Sequence, residues 1–320
     1  MNSTRVPEKT SVLLLAHGSP EKVEDVPQFL NYISGGRPLP AQVIEEVQHR
    51  YGLIGSSPLT KITLRQAEAL ADQLQLPVYV GMRNWEPFTA SAIRQMTTDG
   101  IQHVVAICLA PHNSRTSVGL YRHSVFGDSE NPLPFAVDFV ESWHDHPLLV
   151  SAFAEKLKTG WERACGEMGS RVPIVFTAHS VPQRTIAEGD PYERQARETA
   201  ALVAQEAALA PEDWTFAFQS QGMSGGAWVG PTVEETILKL KSNGRRSVFI
   251  HPIGFLCDHV EVLYDVDIGF KQFALRENMR LWRAESLNDS PMLIAALADI
   301  ARSRLQDAAG NPGQPAEKRA

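Results

Sequence analysis

Two histidines stand at matching places in the chain, in positions from which they could do chemistry. His17 lies in SVLLLAHGSP and His179 in PIVFTAHSVP, each closing an apolar run in the pattern Ala-His-x-x-Pro. Imidazole titrates near neutrality and ligates divalent metals, so a histidine on a loop at a strand exit suits proton transfer or metal handling. A lone histidine there is more simply a satisfied structural group; the match between the halves brings the two readings level. A second cluster sits in HPIGFLCDHVEVLYDVD, where a strand gives way to a loop and then to a helix beginning near Asp258. On that helix Glu261, Tyr264 and Asp265 fall at i, i+3 and i+4 and share a face. Asp258 followed by Glu261 at i+3 also has the form of a capping box, which would make Glu261 a helix cap. From spacing alone, a solvated face is the simpler reading of this group.

The elements that must position these residues are legible as an alternation. Short apolar runs bounded by turn residues, at 12–16, 78–81, 103–109, 172–178, 214–218 and 247–250, read as buried parallel strands. Helical patterns lie between them at 62–74, 88–97, 194–209 and 232–241. The order predicts an α/β protein of two similar doubly wound, Rossmann-like domains whose parallel sheets face a common cleft. Ligands of such sheets bind beyond the carboxyl ends of the strands, which is where both histidines stand. The expected division is 1–145 and 146–305, with the polar Gly/Pro stretch 306–320 an unstructured tail.

Composition narrows the function. With 320 residues, 43% of them hydrophobic and 21% charged, the chain can bury substantial cores without staples. A formal charge of -7 and no long Lys/Arg run argue against nucleic acid as a partner. Cys108, Cys165 and Cys257 lack any paired spacing for zinc, an iron–sulfur cluster or a disulfide framework, which fits a reducing cytoplasm. The opening MNSTRVPEKTSVLLLAHGSP has too short an apolar stretch for a signal peptide, and nowhere do about 18 uninterrupted apolar residues occur. A protein without a transmembrane segment is expected.

LLLAHGSP, RYGLIGSSPLTKIT, GMRNWEPF, LAPHNSRTSV, FTAHSVPQ, GDPYERQ, QSQGMSGGAWVGP and GFLCDHVEVLYDVD follow one another in this order. Together they resemble the ferrochelatase family over nearly the whole chain. The TAHSVP and DHVEVLYDVD wording is most similar to the bacterial branch that metallates coproporphyrin III. The resemblance implies a lyase of haem biosynthesis that inserts ferrous iron into a porphyrin, with no cofactor beyond that substrate iron. It implies that His179 and Glu261 are the catalytic, metal-handling pair, with Asp265 and Tyr264 as an outer relay. It implies substrate contacts at His17, Arg50, Tyr51, Ser57 and Tyr121, and a transient contact with a downstream haem-synthesis enzyme.

The sequence departs from the family pattern in places. His17 stands where this branch commonly has a tyrosine able to ligate product iron. Ser34 and Gly35 replace arginines of some relatives, which would leave part of the propionate clamp to Arg37; Gly269 interrupts the acidic ladder that some relatives extend from Glu261. The alternatives are a protoporphyrin IX ferrochelatase, a cobalt chelatase of sirohydrochlorin-type rings, and a non-catalytic haem-binding protein. The second is usually shorter and lacks the RYGLIGSSPL and QSQGMSGGAWVGP segments; the third would be expected to lose His179 or Glu261 first. A generic phosphate-binding protein is disfavoured, since neither Ala-His-x-x-Pro turn is Gly-rich.

Overall fold

The computed structural model describes residues 9–127, 132–221 and 226–310. Strands β1 (Thr10–Ala16), β2 (Val78–Met82), β3 (His103–Cys108) and β4 (Ala136–Val140) form a parallel sheet in the order β2-β1-β3-β4. Strands β5 (Ile174–His179), β6 (Trp214–Gln219), β7 (Ser247–Pro252) and β8 (Arg280–Arg283) repeat that order as β6-β5-β7-β8. The expected α/β architecture is therefore observed, as two parallel four-stranded sheets of like topology with helices packed on them.

Continuous apolar strands are required because helices cover both faces of each sheet. In β1, Val12, Leu14 and Ala16 face one core while Leu13 and Leu15 face another. Leu13, Leu14 and Leu15 are essentially inaccessible, each contributing about 1.5–3 kcal/mol of burial. The first of these cores runs through both halves, taking in Phe176 and Ala178 of β5 and Phe249 of β7. The helix Pro147–Met168 contributes Leu149, Phe153 and Leu157 to it and packs against the helices Tyr192–Glu206 and Pro291–Gly310. His251 is enclosed there, Nε2 donating to the Phe153 carbonyl at 3.1 Å, and burial depresses its basicity to about 3.

The helix Pro291–Gly310 lies also on the helix Leu59–Leu74 and on β3, in the other half. Residues 306–310, expected in the unstructured tail, are its last turns, because Leu305 and its apolar neighbours seat it on the core; 311–320 lie outside the described residues. Side chains stitch the halves together beside the sheets. Asn113 N donates to Gln195 Oε1 at 2.6 Å, Arg115 N to Asp190 Oδ2 at 2.8 Å, and His112 Nε2 meets Thr199 Oγ1 at 3.0 Å. The LAPHNSRTSV and GDPYERQ segments are thus two sides of one polar seam.

Each sheet reverses its strand order next to the strand that ends in the motif histidine. The reversal opens a crevice between β1 and β3 in one half and between β5 and β7 in the other. His17 follows β1 and His179 ends β5, so the topology delivers both to crevice mouths.

Candidate active site

The loops beyond these strands enclose a single cleft of about 1430 Å³, walled by both halves. That exceeds the roughly 300–1,000 Å³ of pockets for drug-sized ligands. Phe29, Leu30, Val47 and Val260, packed together, and Trp228 and Phe255 beside His179 give it broad apolar walls, suited to a large flat ligand.

His179 and Glu261 meet at its centre, Nε2 to Oε1 at 3.2 Å, their side chains 29% and 35% exposed. His259 reaches the other carboxylate oxygen, Nε2 to Oε2 at 3.4 Å. The protonation pattern follows from the remaining nitrogens. His179 Nδ1 bonds the Ser180 carbonyl and His259 Nδ1 the Cys257 carbonyl at 2.9 Å. A carbonyl only accepts, so each Nδ1 carries a proton. Each Nε2 then faces the carboxylate either with a second proton to donate or with a bare lone pair. Burial would lower the basicity of His179, but the charge and hydrogen bond of Glu261 outweigh it and raise the imidazole above its ordinary value. Burial likewise opposes ionisation of Glu261, yet His179 and His259 together hold its carboxyl well below the usual range. The pair therefore shares a proton that an arriving metal ion could displace and a base could accept.

Backbone geometry fixes this contact. Gly254, just beyond β7, lies so close to the end of β5 that an added Cβ would stand 2.7 Å from Ala178 Cα. Gln219, at the end of β6, takes a hydrogen bond from Thr177 Oγ1 at 2.6 Å and donates to the Glu261 carbonyl at 3.0 Å. The anticipated capping box is not formed. The helix Val260–Leu263 begins after His259, and Asp258 instead accepts from Ser286 Oγ at 2.7 Å and Asn288 Nδ2 at 3.0 Å. Glu261 is thereby left free to face His179.

The turn that follows, Asp265–Phe270, is a π-helix in which Gly269 N bonds the Tyr264 carbonyl at 2.8 Å. Such wide turns are frequent at functional sites. Glu261, Tyr264 and Asp265 all line the cleft. Asp265 is hydrogen-bonded by Ser220 and lies 3.6 Å from Arg50, whose guanidinium sits 4.9 Å above the Tyr264 ring. Burial raises Asp265 above the ordinary carboxyl value, against the pull of Ser220. Gly269 also lines the cleft and offers no carboxylate there.

Most of the anticipated substrate contacts reach the same cleft. His17 Nδ1 donates to the Gly18 carbonyl at 3.0 Å, leaving Nε2 as a neutral donor atom, since burial and then Arg83 lower its basicity to about 4. Tyr121 lies with Arg83 5.5 Å over its ring. Tyr51 lines the wall but is 1% exposed, its hydroxyl bonded to Ser19 Oγ at 2.8 Å and pushed by burial to about 12. Ser57 is different: it is buried, lies outside the cleft wall, and its hydroxyl has no partner among the described residues. Arg37 lines the rim, with Nε on the Ser34 carbonyl at 2.9 Å. His259, Gln219, Ser220 and Arg83 were not singled out from the sequence. The signal for His259 was its place beside Glu261 in DHVE; Asp258 drew attention instead as a cap. Among the described residues no three His, Cys, Asp or Glu side chains form a ready metal cage, so His179 and Glu261 offer a two-donor site.

Comparison with known proteins identifies the fold and the family. A sirohydrochlorin chelatase, SirB from Bacillus subtilis subspecies spizizenii in complex with cobalt, superposes with a TM-score of 0.57 at 12% identity, over 95% of this chain and 98% of that one, which shows the shared fold. A coproporphyrin III ferrochelatase from Geobacillus sp. is 34% identical over 93% of this chain and 99% of its own length. A ferrochelatase from Acidobacterium capsulatum is 51% identical over 93% of this chain and 95% of its own. The Ferrochelatase family profile matches residues 9–305, spanning both sheets and every cleft residue described above, and the chain belongs to the ferrochelatase family.

Proposed function

We propose that this ferrochelatase inserts ferrous iron into coproporphyrin III, giving coprohaem, with His179 and Glu261 as the catalytic pair. The observation that carries the porphyrin preference is the set of guanidinium groups around the cleft. Arg37, Arg83, Arg184 and Arg276 line it with Arg50, and among the described residues those four have no carboxylate partner. Coproporphyrin III bears a propionate on every pyrrole ring, protoporphyrin IX on only half of them, and charge-assisted pairs with guanidinium groups are the strong way to hold carboxylates. Arg50 is already shared between Glu46 and Asp265, so a propionate there would compete with Asp265.

Metallation must strip water from ferrous iron and remove the pyrrole N–H protons. The lone pair of His179 Nε2 and the Glu261 carboxylate suit both tasks, because the proton they share can leave as iron arrives. Glu261 accepts the two pyrrole protons in turn, and Asp265 with Tyr264 passes each outward toward the rim and to solvent. Binding energy from the propionates holds the ring distorted, tilting a pyrrole nitrogen toward the metal. On the far side His17 Nε2 is an axial donor for the product iron. No resident cofactor enters this reading; iron is substrate. The three free cysteines support a cytoplasmic setting, and no helix of the described residues is long and apolar enough to cross a membrane.

The test is anaerobic ferrous-iron insertion followed by absorbance, with coproporphyrin III and protoporphyrin IX side by side. Faster turnover of coproporphyrin III is expected; a preference for protoporphyrin IX overturns the proposal, and no turnover of either would point to a haem-binding role.

A further inference from the structure

Behind the cleft wall, on the side of the Glu261 segment away from the cavity, lies a charged cluster that the proposed chemistry does not use. Its centre is Arg283, the last residue of β8, with a side chain 13% exposed. Nε and Nη2 meet Asp267 Oδ1 and Oδ2 at 2.7 and 2.8 Å, a two-pronged pair. Nη2 also lies 3.4 Å from Asp258 Oδ1, and Nη1 donates to the Ala284 carbonyl at 2.9 Å and to Ser286 Oγ at 3.4 Å. Ser286 and Asn288 complete the shell of Asp258, and Asn288 Oδ1 accepts from Asp258 N at 2.9 Å.

Asp258 and Asp267 bracket the stretch that carries His259, Glu261, Tyr264 and Asp265. One guanidinium therefore grips both ends of the segment whose middle must hold a carboxylate against His179. The grip is needed because that segment has little regular structure of its own: its α-helix is only Val260–Leu263, and a π-turn follows. A planar fork on a rigid strand end is the side chain best able to fix such a piece, since its hydrogen bonds set angle as well as distance. β8 is itself registered on β7, Ile250 beside Arg283, so the hold refers the Glu261 segment to the sheet that ends in His179.

We infer that Arg283 is a positioning residue, which sets the placement of Glu261 opposite His179 by clamping Asp258 and Asp267 together. The inference rests on the roles given to His179 and Glu261, and the His179→Ala enzyme is the control for them: if it still metallates, those roles fail whatever Arg283 does. The experiment uses whichever porphyrin the parent enzyme turns over. Arg283→Lys keeps the charge but cannot form the fork; Arg283→Gln removes the charge; Asp267→Asn weakens one arm at a half-exposed site and so is the variant most certain to fold. Each should lower kcat per folded enzyme roughly ten- to a hundredfold, the scale of a misplacement of about 1 Å at a reacting group. Porphyrin affinity, followed by fluorescence quenching, should stay within about twofold, while the KM for iron rises. Arg283→Gln combined with Asp267→Asn should be little worse than the more severe single change, since both break one pair. The inference is overturned if kcat is unaltered in Arg283→Lys and Asp267→Asn, if porphyrin affinity falls in step with kcat, or if the two effects simply add.

Discussion

Replacing Gly254 by alanine should separate the two halves of the proton-sharing pair. The added Cβ would stand 2.7 Å from Ala178 Cα, 2.8 Å from Ala178 Cβ and 3.3 Å from His179 N, all on the strand end that carries His179. Carbon atoms pack at about 3.5–4.0 Å, so loop and strand must part by about 1 Å. His179 Nε2 now lies 3.2 Å from Glu261 Oε1, already at the roughly 3.2 Å outer limit of a sound hydrogen bond. A parting of that size breaks it. Loss of a hydrogen bond to a charged group costs about 1.5–3 kcal/mol, which at about 1.4 kcal/mol per tenfold is roughly a ten- to hundredfold loss of kcat. The strain of a crowded core costs about 1–3 kcal/mol of stability besides. Anaerobic iron insertion, with kcat and KM resolved, and a thermal melt of the same sample measure both. A Gly254→Ala enzyme that melts lower yet turns over at the parental rate would show that the His179–Glu261 contact does not govern the rate.

His179→Ala should abolish iron insertion while porphyrin still binds and quenches tryptophan fluorescence; retained turnover would remove His179 from the mechanism. His17→Tyr should change the absorption spectrum of bound product haem more than it changes the rate of insertion, and an unchanged spectrum would mean that His17 Nε2 does not reach the iron. Stability should fall in mild acid. His112 and His251 are 2% and 1% exposed, and burial holds each to about 3 against an ordinary 6.5. The unfolded chain therefore binds the extra protons, and the stability they confer is complete above 6.5 and lost as pH falls from 6.5 toward 3. At pH 5 the two together should cost about 4 kcal/mol, at about 1.36 kcal/mol per pKa unit for each. Urea unfolding at pH 7 and pH 5 reads the difference; His251→Gln, whose amide can still donate to the Phe153 carbonyl, should shrink it by about 2 kcal/mol. Equal unfolding free energies at the two pH values would contradict the neutral, buried state of both imidazoles.

What the sequence revealed and what it hid follow from where each element sits. β1, β2, β3, β5, β6 and β7 are central or well-covered strands with apolar runs, and the expected boundaries lie within two residues of those observed. β4 and β8 were not anticipated: Asp138 interrupts the short apolar run of β4, and β8 is four residues long with only Leu281 and Trp282 between its two arginines. The helix Pro147–Met168 is missing from the expected helical patterns because its start, His144-Asp145-His146-Pro147, has the composition of a turn. At the site, His17, His179, Glu261 and Asp265 were legible as residue types at strand and helix ends. His259 was not, since nothing local says that its ring turns back toward Glu261. Nor was the burial of Ser57 visible, because a hydroxyl in a glycine-rich loop carries no sign of which way the loop folds. The resemblance, rather than the spacing, gave Arg50 and Tyr121 their place.

The wide turn at Asp265–Phe270 makes the length of this part of the chain a matter of angle. An α-helix advances about 100° of rotation per residue, and the π-turn holds one residue more than an α-turn between Tyr264 and Gly269. Asp265 looks into the cleft while Asp267, two residues on and so on the opposite side of the turn, looks back toward Arg283. Deleting a single residue here would let the turn tighten to the common form and swing everything after it by about 100°. Any carboxylate beyond the deletion would then turn away from its present partner even where no charge is removed. In this stretch the chain's residue count is itself part of the active site's chemistry, and it should tolerate substitution better than a shift of one position.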